Sequence, residues 1–470
     1  MCIVYQSEEE DEESGPFFRK PPPVADEEVE EQQGSTFPGF WSGFRQATLT
    51  RAVFLPADFC GLRLAVFVGL RSPPSIDPDT REMHYVRLLR PPAVEQRTSR
   101  QVLKLVLAIT TDLGDSYLSP QEPLELSVIG AFPNDDGILT PVNLTQNATP
   151  RWRAGMRVLK FDVPLPPQPI KTIQIRQSSR QLTVLGTNDV YPAPAQGLIM
   201  GVYADLPSGG EKPSQVCFRS LRLVGSDPSG PVNALQVEED FGDSIARHIW
   251  DGGVVALSLA ADLCLAGKPP GVKTSLPLLK SILDQKDRAL HILELGCGVG
   301  IVGIGLSRIL RASESGRSPV ILMTDLPEAE ERAQANISRY LVDVTRSGKE
   351  ELHIDYENLD WQDGKRGIFG EKTQERPWDL VAVSECTYNT DTLLALVQTL
   401  SAIHSHSSQD AKEPRDTKIF LATKPRHSSE REAFDLLARE GWSVEEKTKV
   451  PLPMLDGNAQ LVEMYLLSKS

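Results

Sequence analysis

Two textures of hydrophobic and polar positions divide the chain. From about 45 to 225, short runs in which apolar and polar residues alternate, LKLVLAIT (103–110), LELSVIGAF (124–132), RVLKFDVPL (157–165), IKTIQIRQ (170–177), GLIMGVYADL (197–206) and VCFRSLRLVG (216–225), are separated by Pro, Gly, Asn and Asp. This pattern predicts strands of an antiparallel β-rich domain of sandwich type. The breaker cluster Gly225–Pro231 opens a linker expected over 226–239. From 240 to 470 the texture changes. Strand-like LHILELG (290–296), PVILMTD (319–325), ELHIDYENL (351–359), WDLVAVSE (378–385) and KIFLATK (418–424) alternate with helical patterns around 300–312, 327–343, 391–405 and 428–440. Such alternation predicts parallel βαβ units in a doubly wound α/β sheet, with a ligand crevice beyond the carboxyl ends of the strands. The last two runs, 442–450 and 459–469, leave no room for a crossover helix and should pair as an antiparallel hairpin.

Composition adds limits. Residues 1–36 are rich in Glu and Asp and poor in apolar side chains, so they cannot offset the entropy of ordering and are expected to be a disordered acidic tail. The 470-residue chain has a net charge of −15. That balance argues against nucleic acid as a partner, since duplex affinity rests on neutralising phosphates. The six cysteines, with no C-x-x-C pair, suggest neither zinc nor a disulfide framework. No stretch approaches the roughly 20 apolar residues of a membrane span. His404 and His406 sit in a polar, Ser-rich stretch expected to be a loop, with no third ligand nearby, and no metal is assigned.

The candidate chemistry lies at the strand ends. In His291-Ile-Leu-Glu294-Leu-Gly296-Cys297-Gly298-Val-Gly300, a strand stops in glycines before a helix, and Asp325 ends the next strand. Glycines let the backbone approach a nucleoside, the helix start offers unpaired N–H groups, and a carboxylate one strand over can hold ribose hydroxyls. Gly298, Gly300 and Gly303 also match the dinucleotide pattern G-x-G-x-x-G, which by itself is weak. Asp325 before Leu-Pro would serve equally as a helix N-cap.

The order E-x-G-x-G-x-G followed by an acidic second strand end resembles the class I S-adenosylmethionine-dependent methyltransferases. Further segments resemble the seven-β-strand, non-SET protein-lysine methyltransferases of the family 16 type. These are Trp250-Asp251 ahead of a helical run (256–263), Leu359-Asp360-Trp361 at a third strand end, Ser384-Glu385-Cys386-Thr387-Tyr388-Asn389 in place of the family's D-x-x-Y, and Lys424 to Glu430 after the fifth strand. The resemblance covers residues 240–469 only.

It implies a Rossmann-like seven-stranded methyltransferase domain, preceded by the β-rich region, that binds S-adenosylmethionine. Its cofactor contacts would be Trp250, Glu294, Gly296, Cys297, Gly298, Gly300, Asp325, Trp361 and Ser384, with Glu294 either touching the cofactor's amino-acid end or ordering the glycine loop. Glu385 and Tyr388 would be catalytic, drawing a lysine ammonium to the mouth by charge and by the ring face. Glu385 departs from the family's Asp by one methylene, which puts the geometry in question. A monomer acting on a protein substrate, in the cytoplasm with the nucleus as the alternative, is the expectation. The rivals are methylation of a small molecule or nucleic acid, and a cofactor-binding adaptor without turnover. Nothing in 45–225 resembles a catalytic constellation, so that region is expected to be structural or to dock the substrate.

Overall fold

The computed structural model describes residues 83–98, 100–133, 139–191, 198–207, 212–223, 234–241, 245–265, 275–313, 319–345, 353–410, 412–452 and 460–469. All lie within one compact unit, residues 70–470. The acidic tail 1–36, residues 45–82 of the expected β-rich region and the Gly225–Pro231 cluster lie outside the described residues.

The β-rich half comprises β1 (His84–Leu88), β2 (Ala93–Gln96), β3 (Gln101–Thr110), β4 (Leu124–Pro133), β5 (Leu139–Asn143), β6 (Arg151–Trp152), β7 (Leu159–Pro164), β8 (Thr172–Gln177), β9 (Thr183–Val184), β10 (Ile199–Met200), β11 (Val202–Asp205), β12 (Val216–Arg222) and β13 (Ala234–Asp240). They form two sheets, ordered β2-β3-β1-β10-β9 with β7 also on β3, and β13-β12-β11-β8-β4-β5 with β6 also on β4. Leu103, Leu107 and Ile199 from the first sheet and Leu126, Trp152 and Ile175 from the second share one core, as in a sandwich.

Three details differ from expectation. The first sheet is mixed, because β10 pairs in parallel with both β1 and β9. The run 197–206 is two strands, β10 in one sheet and β11 in the other, a corner made by a chain that changes sheet. Most important, the expected 226–239 linker is wrong for its second half. Residues 234–240 are β13, paired with β12 along its whole length. Leu235, Val237 and Glu239 are buried. The acidic tint that hid this strand is explained by fixed cations, Glu239 meeting buried Arg219 at 2.6 Å.

The C-terminal half runs α1 (Asp251–Cys264), α2 (Pro277–Leu283), β14 (His291–Leu295), α3 (Ile301–Ala312), β15 (Val320–Asp325), α4 (Pro327–Thr345), β16 (His353–Asn358), α5 (Trp361–Gly364), α6 (Glu371–Gln374), β17 (Leu380–Ser384), α7 (Thr390–Ser408), β18 (Lys418–Thr423), α8 (Glu432–Arg439), β19 (Trp442–Leu452) and β20 (Gln460–Lys469). The strand order is β16-β15-β14-β17-β18-β20-β19. Pairs are parallel except those of β20, which runs antiparallel to β18 and forms the expected hairpin with β19. This is the Rossmann-like class I methyltransferase fold. β14 lies between β15 and β17, so the chain reverses direction across the sheet there, and a crevice opens beyond the strand ends.

Helix α1 is buried from Asp251 through Ala261. A helix without a polar face belongs between two bodies. One continuous core joins its Val255 and Leu259 both to Ile304 of α3 and to Met83, Tyr85 and Val190 of the β-rich half. On the boundary, Glu238 and Asp240 of β13 both pair with Arg332 of α4 at 2.8 Å. His404 and His406 belong to α7 rather than to a loop. Leu393, Leu396, Val397, Leu400 and Ile403 carry the helical period past the serines that masked it, and His404 lies edge-on to Trp442 at 5.5 Å. No helix among the described residues is long and apolar enough to cross a membrane.

Candidate active site

The turn between β14 and α3 is a run of left-handed conformations, with φ of +66° at Gly296, +53° at Gly298 and +83° at Gly300. Side chains with a Cβ adopt that region at a cost, and three in one turn make glycine the practical choice. Space restricts the turn as well. A Cβ on Gly296 would lie 2.4 Å from the Cys386 sulfur. The loop is tied to β15 by the Cys297 N–H, which donates to the Thr324 carbonyl at 3.0 Å.

Asp325 sits opposite. Its Oδ2 accepts the Gly298 N–H and its Oδ1 accepts the Leu326 N–H, both at 2.7 Å. The bond to Leu326 falls one residue short of α4, which starts at Pro327, so the expected helix-cap bond is not formed, while each carboxylate oxygen keeps a further lone pair for a ligand.

Glu294 resolves differently. Its carboxylate accepts the Gly303 N–H of α3 at 2.9 Å, and it is 2% exposed. It therefore fastens strand to helix and orders the loop. Burial pushes its carboxyl up to about 8, against the pull of the Gly303 N–H. The unfolded carboxyl ionises near 4.5, so between there and about 8 the unfolded chain releases a proton that the folded chain keeps, and stability falls as pH rises. Glu294→Gln keeps the acceptor for Gly303 but cannot ionise. Its thermal midpoint should fall by several degrees less than that of the parent between roughly pH 5 and 8. Melting curves that shift equally with pH in the two proteins would show that Glu294 ionises as a solvated carboxylate does.

All the expected site residues except Gly300 line one cavity of about 380 Å³ beyond the ends of β14, β15 and β17. Gly300 is a correction. It caps α3 and packs inward, where a Cβ would lie 2.5 Å from the Met323 methyl. Trp361 opens α5, positioned by Asp360, whose side chain accepts the Gln362 N–H at 2.8 Å. Tyr388 is 54% exposed at the rim.

Glu385 also departs from expectation. It is the one non-glycine with positive φ among the described residues, at +57°. That strained backbone aims its side chain inward. Oε2 accepts from Arg426 at 2.8 Å, and Oε1 lies 2.2 Å from where a Cβ on Gly252 would be. Only glycine at 252 leaves room for the longer side chain that replaces the family's Asp. The carboxylate is thus not a bare anion at the mouth, because a guanidinium already faces it. Burial nonetheless pushes its carboxyl up to about 7, Arg426 opposing and Asp112 adding to the rise.

Asp112 is a residue that sequence reasoning missed, together with Tyr85, Lys424 and Arg426 as a working group. Lys424 bridges Asp112 and Asp251 at 2.7 Å each, Arg426 reaches Asp112 at 2.9 Å, and the Tyr85 hydroxyl donates to Asp251 at 2.6 Å. Lys424 and Arg426 stood in a motif and could have been flagged as cations with no visible partner. Asp112 and Tyr85 carry no local signal.

The cavity suits a nucleoside sulfonium. Its volume is that of a small-molecule site, Asp325 offers spare acceptors, and the Ser384 hydroxyl and Glu385 Oε1 are buried on its wall without a hydrogen-bond partner. Among the described residues no three His, Cys, Asp or Glu side chains group as metal ligands.

Residues 230–440 match the family model described as lysine methyltransferase. A UPF0665 family protein of Schizosaccharomyces pombe is 23% identical over 350 residues, 74% of this chain and 90% of that one, a span that reaches into the β-rich half. Among solved structures, a precorrin-6y C5,15-methyltransferase from Geobacter metallireducens is 12% identical with a TM-score of 0.27, covering 44% of this chain and 95% of its own. A putative RNA methyltransferase from Pyrococcus horikoshii is 13% identical with a TM-score of 0.27, covering 45% and 83%. Over residues 230–440 the chain is therefore similar to the lysine methyltransferase family, and that likeness implies S-adenosylmethionine as the methyl donor.

Proposed function

We propose that this protein methylates a lysine side chain of a protein substrate. The observation that carries the reading is the pairing, on one cavity wall, of a half-exposed Tyr388 with the inward Glu385 carboxylate, beside the glycine loop and Asp325. The matched family's description supports lysine as the acceptor. When bound, S-adenosylmethionine supplies a sulfonium methyl that only an uncharged amine attacks well.

A free lysine titrates near roughly 10.4, so a proton must leave before or during transfer. The Tyr388 ring offers a face for the arriving ammonium. Glu385, raised to about 7 by burial, is a better proton acceptor than an ordinary carboxylate. Its free Oε1 is the atom that takes the proton, while Arg426 holds Oε2 in place. Most of the acceleration then comes from positioning the two reactants. The net charge of −15 weighs against a polyanionic substrate.

The test is a lysate from cells lacking this protein, incubated with the purified chain and methyl-labelled S-adenosylmethionine. Label should enter protein and be found on lysine by mass spectrometry. Label confined to RNA or to small molecules would reject the lysine reading, and cofactor binding without any transfer would favour an adaptor.

A further inference from the structure

Glu385 sits in a cluster that the methyltransferase half does not complete by itself. Around it stand Arg426 and Lys424 from the segment after β18, Asp251 and the Gly252 backbone from α1, Cys386 from its own strand end, and Asp112 from the loop after β3. Asp112 lies 312 residues from Lys424 in sequence, yet its side chain is 1% exposed and touches both cations. Its own half holds it there. Arg87 donates to its carbonyl at 2.5 Å, and its carboxylate accepts the Leu113 N–H at 2.9 Å.

Without Asp112, the methyltransferase half would present the buried Lys424 and the partly buried Arg426 to Asp251 and Glu385 alone. Arg426 divides its guanidinium between Asp112 and Glu385 and lies 5.5 Å from the Trp250 ring centre on the cavity wall. Its placement, and through it that of Glu385, thus depends on an anion from the other half of the molecule. Tyr85 makes a second tie across the same boundary, fixing Asp251 next to the glycine against which Glu385 rests.

Building on the methyl-transfer reading above, we propose that the β-rich half is a built part of the active site. Asp112 is a positioning residue that holds Arg426 and thereby sets the place and charge of Glu385, with Tyr85 supporting it through Asp251. The β-rich region is more than a docking module, and the methyltransferase half needs it to work.

Full-length Asp112→Asn keeps the size of the side chain and removes its charge. With lysate protein as acceptor and labelled S-adenosylmethionine as donor, its initial rate should fall about ten-fold or more, while cofactor affinity by calorimetry stays within about three-fold. Arg426 would turn wholly to Glu385 and favour its ionised form. The rising limb of the pH–rate profile should therefore move to lower pH. In a Glu385→Gln background the same change should add little, as expected for residues acting through one another. An unchanged rate and profile, a parallel loss of cofactor affinity, or full additivity with Glu385→Gln would overturn the proposal.

Tyr85→Phe removes one hydroxyl and serves if the Asn variant does not fold. It should slow transfer several-fold at unchanged cofactor affinity, and a parental rate there would overturn the proposal equally. If the unaltered protein labels no protein at all, the lysine reading fails first. Equal labelling by parent and variants defeats only the present inference.

Discussion

Replacing Asp325 by alanine is expected to lower affinity for S-adenosylmethionine by at least about 100-fold. A hydrogen bond to a charged group contributes about 1.5–3 kcal/mol, and each 1.4 kcal/mol is about ten-fold in affinity. Loss of two ribose hydrogen bonds therefore reaches that figure before any disturbance of the loop is counted. Such a disturbance follows from the structure, since the Gly298 and Leu326 N–H groups would both lose their acceptor. Asp325→Asn keeps one acceptor and should fall between. Calorimetric titration of the three proteins decides the matter, and parental affinity in the alanine variant would remove the ribose role altogether.

Glu385→Gln should leave cofactor affinity within a few-fold and reduce the rate of methyl transfer by about 10²–10⁴, the usual contribution of a positioned base. Glutamine preserves the shape against Gly252 and can still accept from Arg426, so a loss of rate reports on the proton and not on packing. In the parent the base must be ionised to act, so the rate should climb as pH rises through about 7. That limb should vanish in the variant. A Gln variant with the parental rate and pH profile would show that the proton leaves by another route.

Much of this was written locally. Apolar runs bounded by turn residues located nearly every strand of the C-terminal sheet, because a parallel core strand must be apolar and must end in a turn. Glycines at 296 and 298 and the acid at 325 were legible for the same kind of reason, since a left-handed turn and a close ligand approach each admit few residue types. Gly300 was legible as a turn residue but misjudged as a contact, because whether a left-handed glycine faces a ligand or Met323 depends on which strand lies beneath it. β13 was missed because its acids look like a solvated linker until Arg219, Arg332 and Arg339 are brought alongside.

The chain by itself thus determined a βαβ sheet, the glycine turn and the acidic strand end that face a crevice beyond it, and the identities of the side chains at that place. Periodicity and backbone conformation are properties of neighbours in sequence. What Glu385 is paired with, how Gly252 makes room for it, and the arrival of Asp112 and Tyr85 from a different half were decided only by tertiary structure. Ion pairs and close contacts depend on distance in space, and nothing in the spacing of residues records that a loop some 300 positions away brings a carboxylate to Lys424.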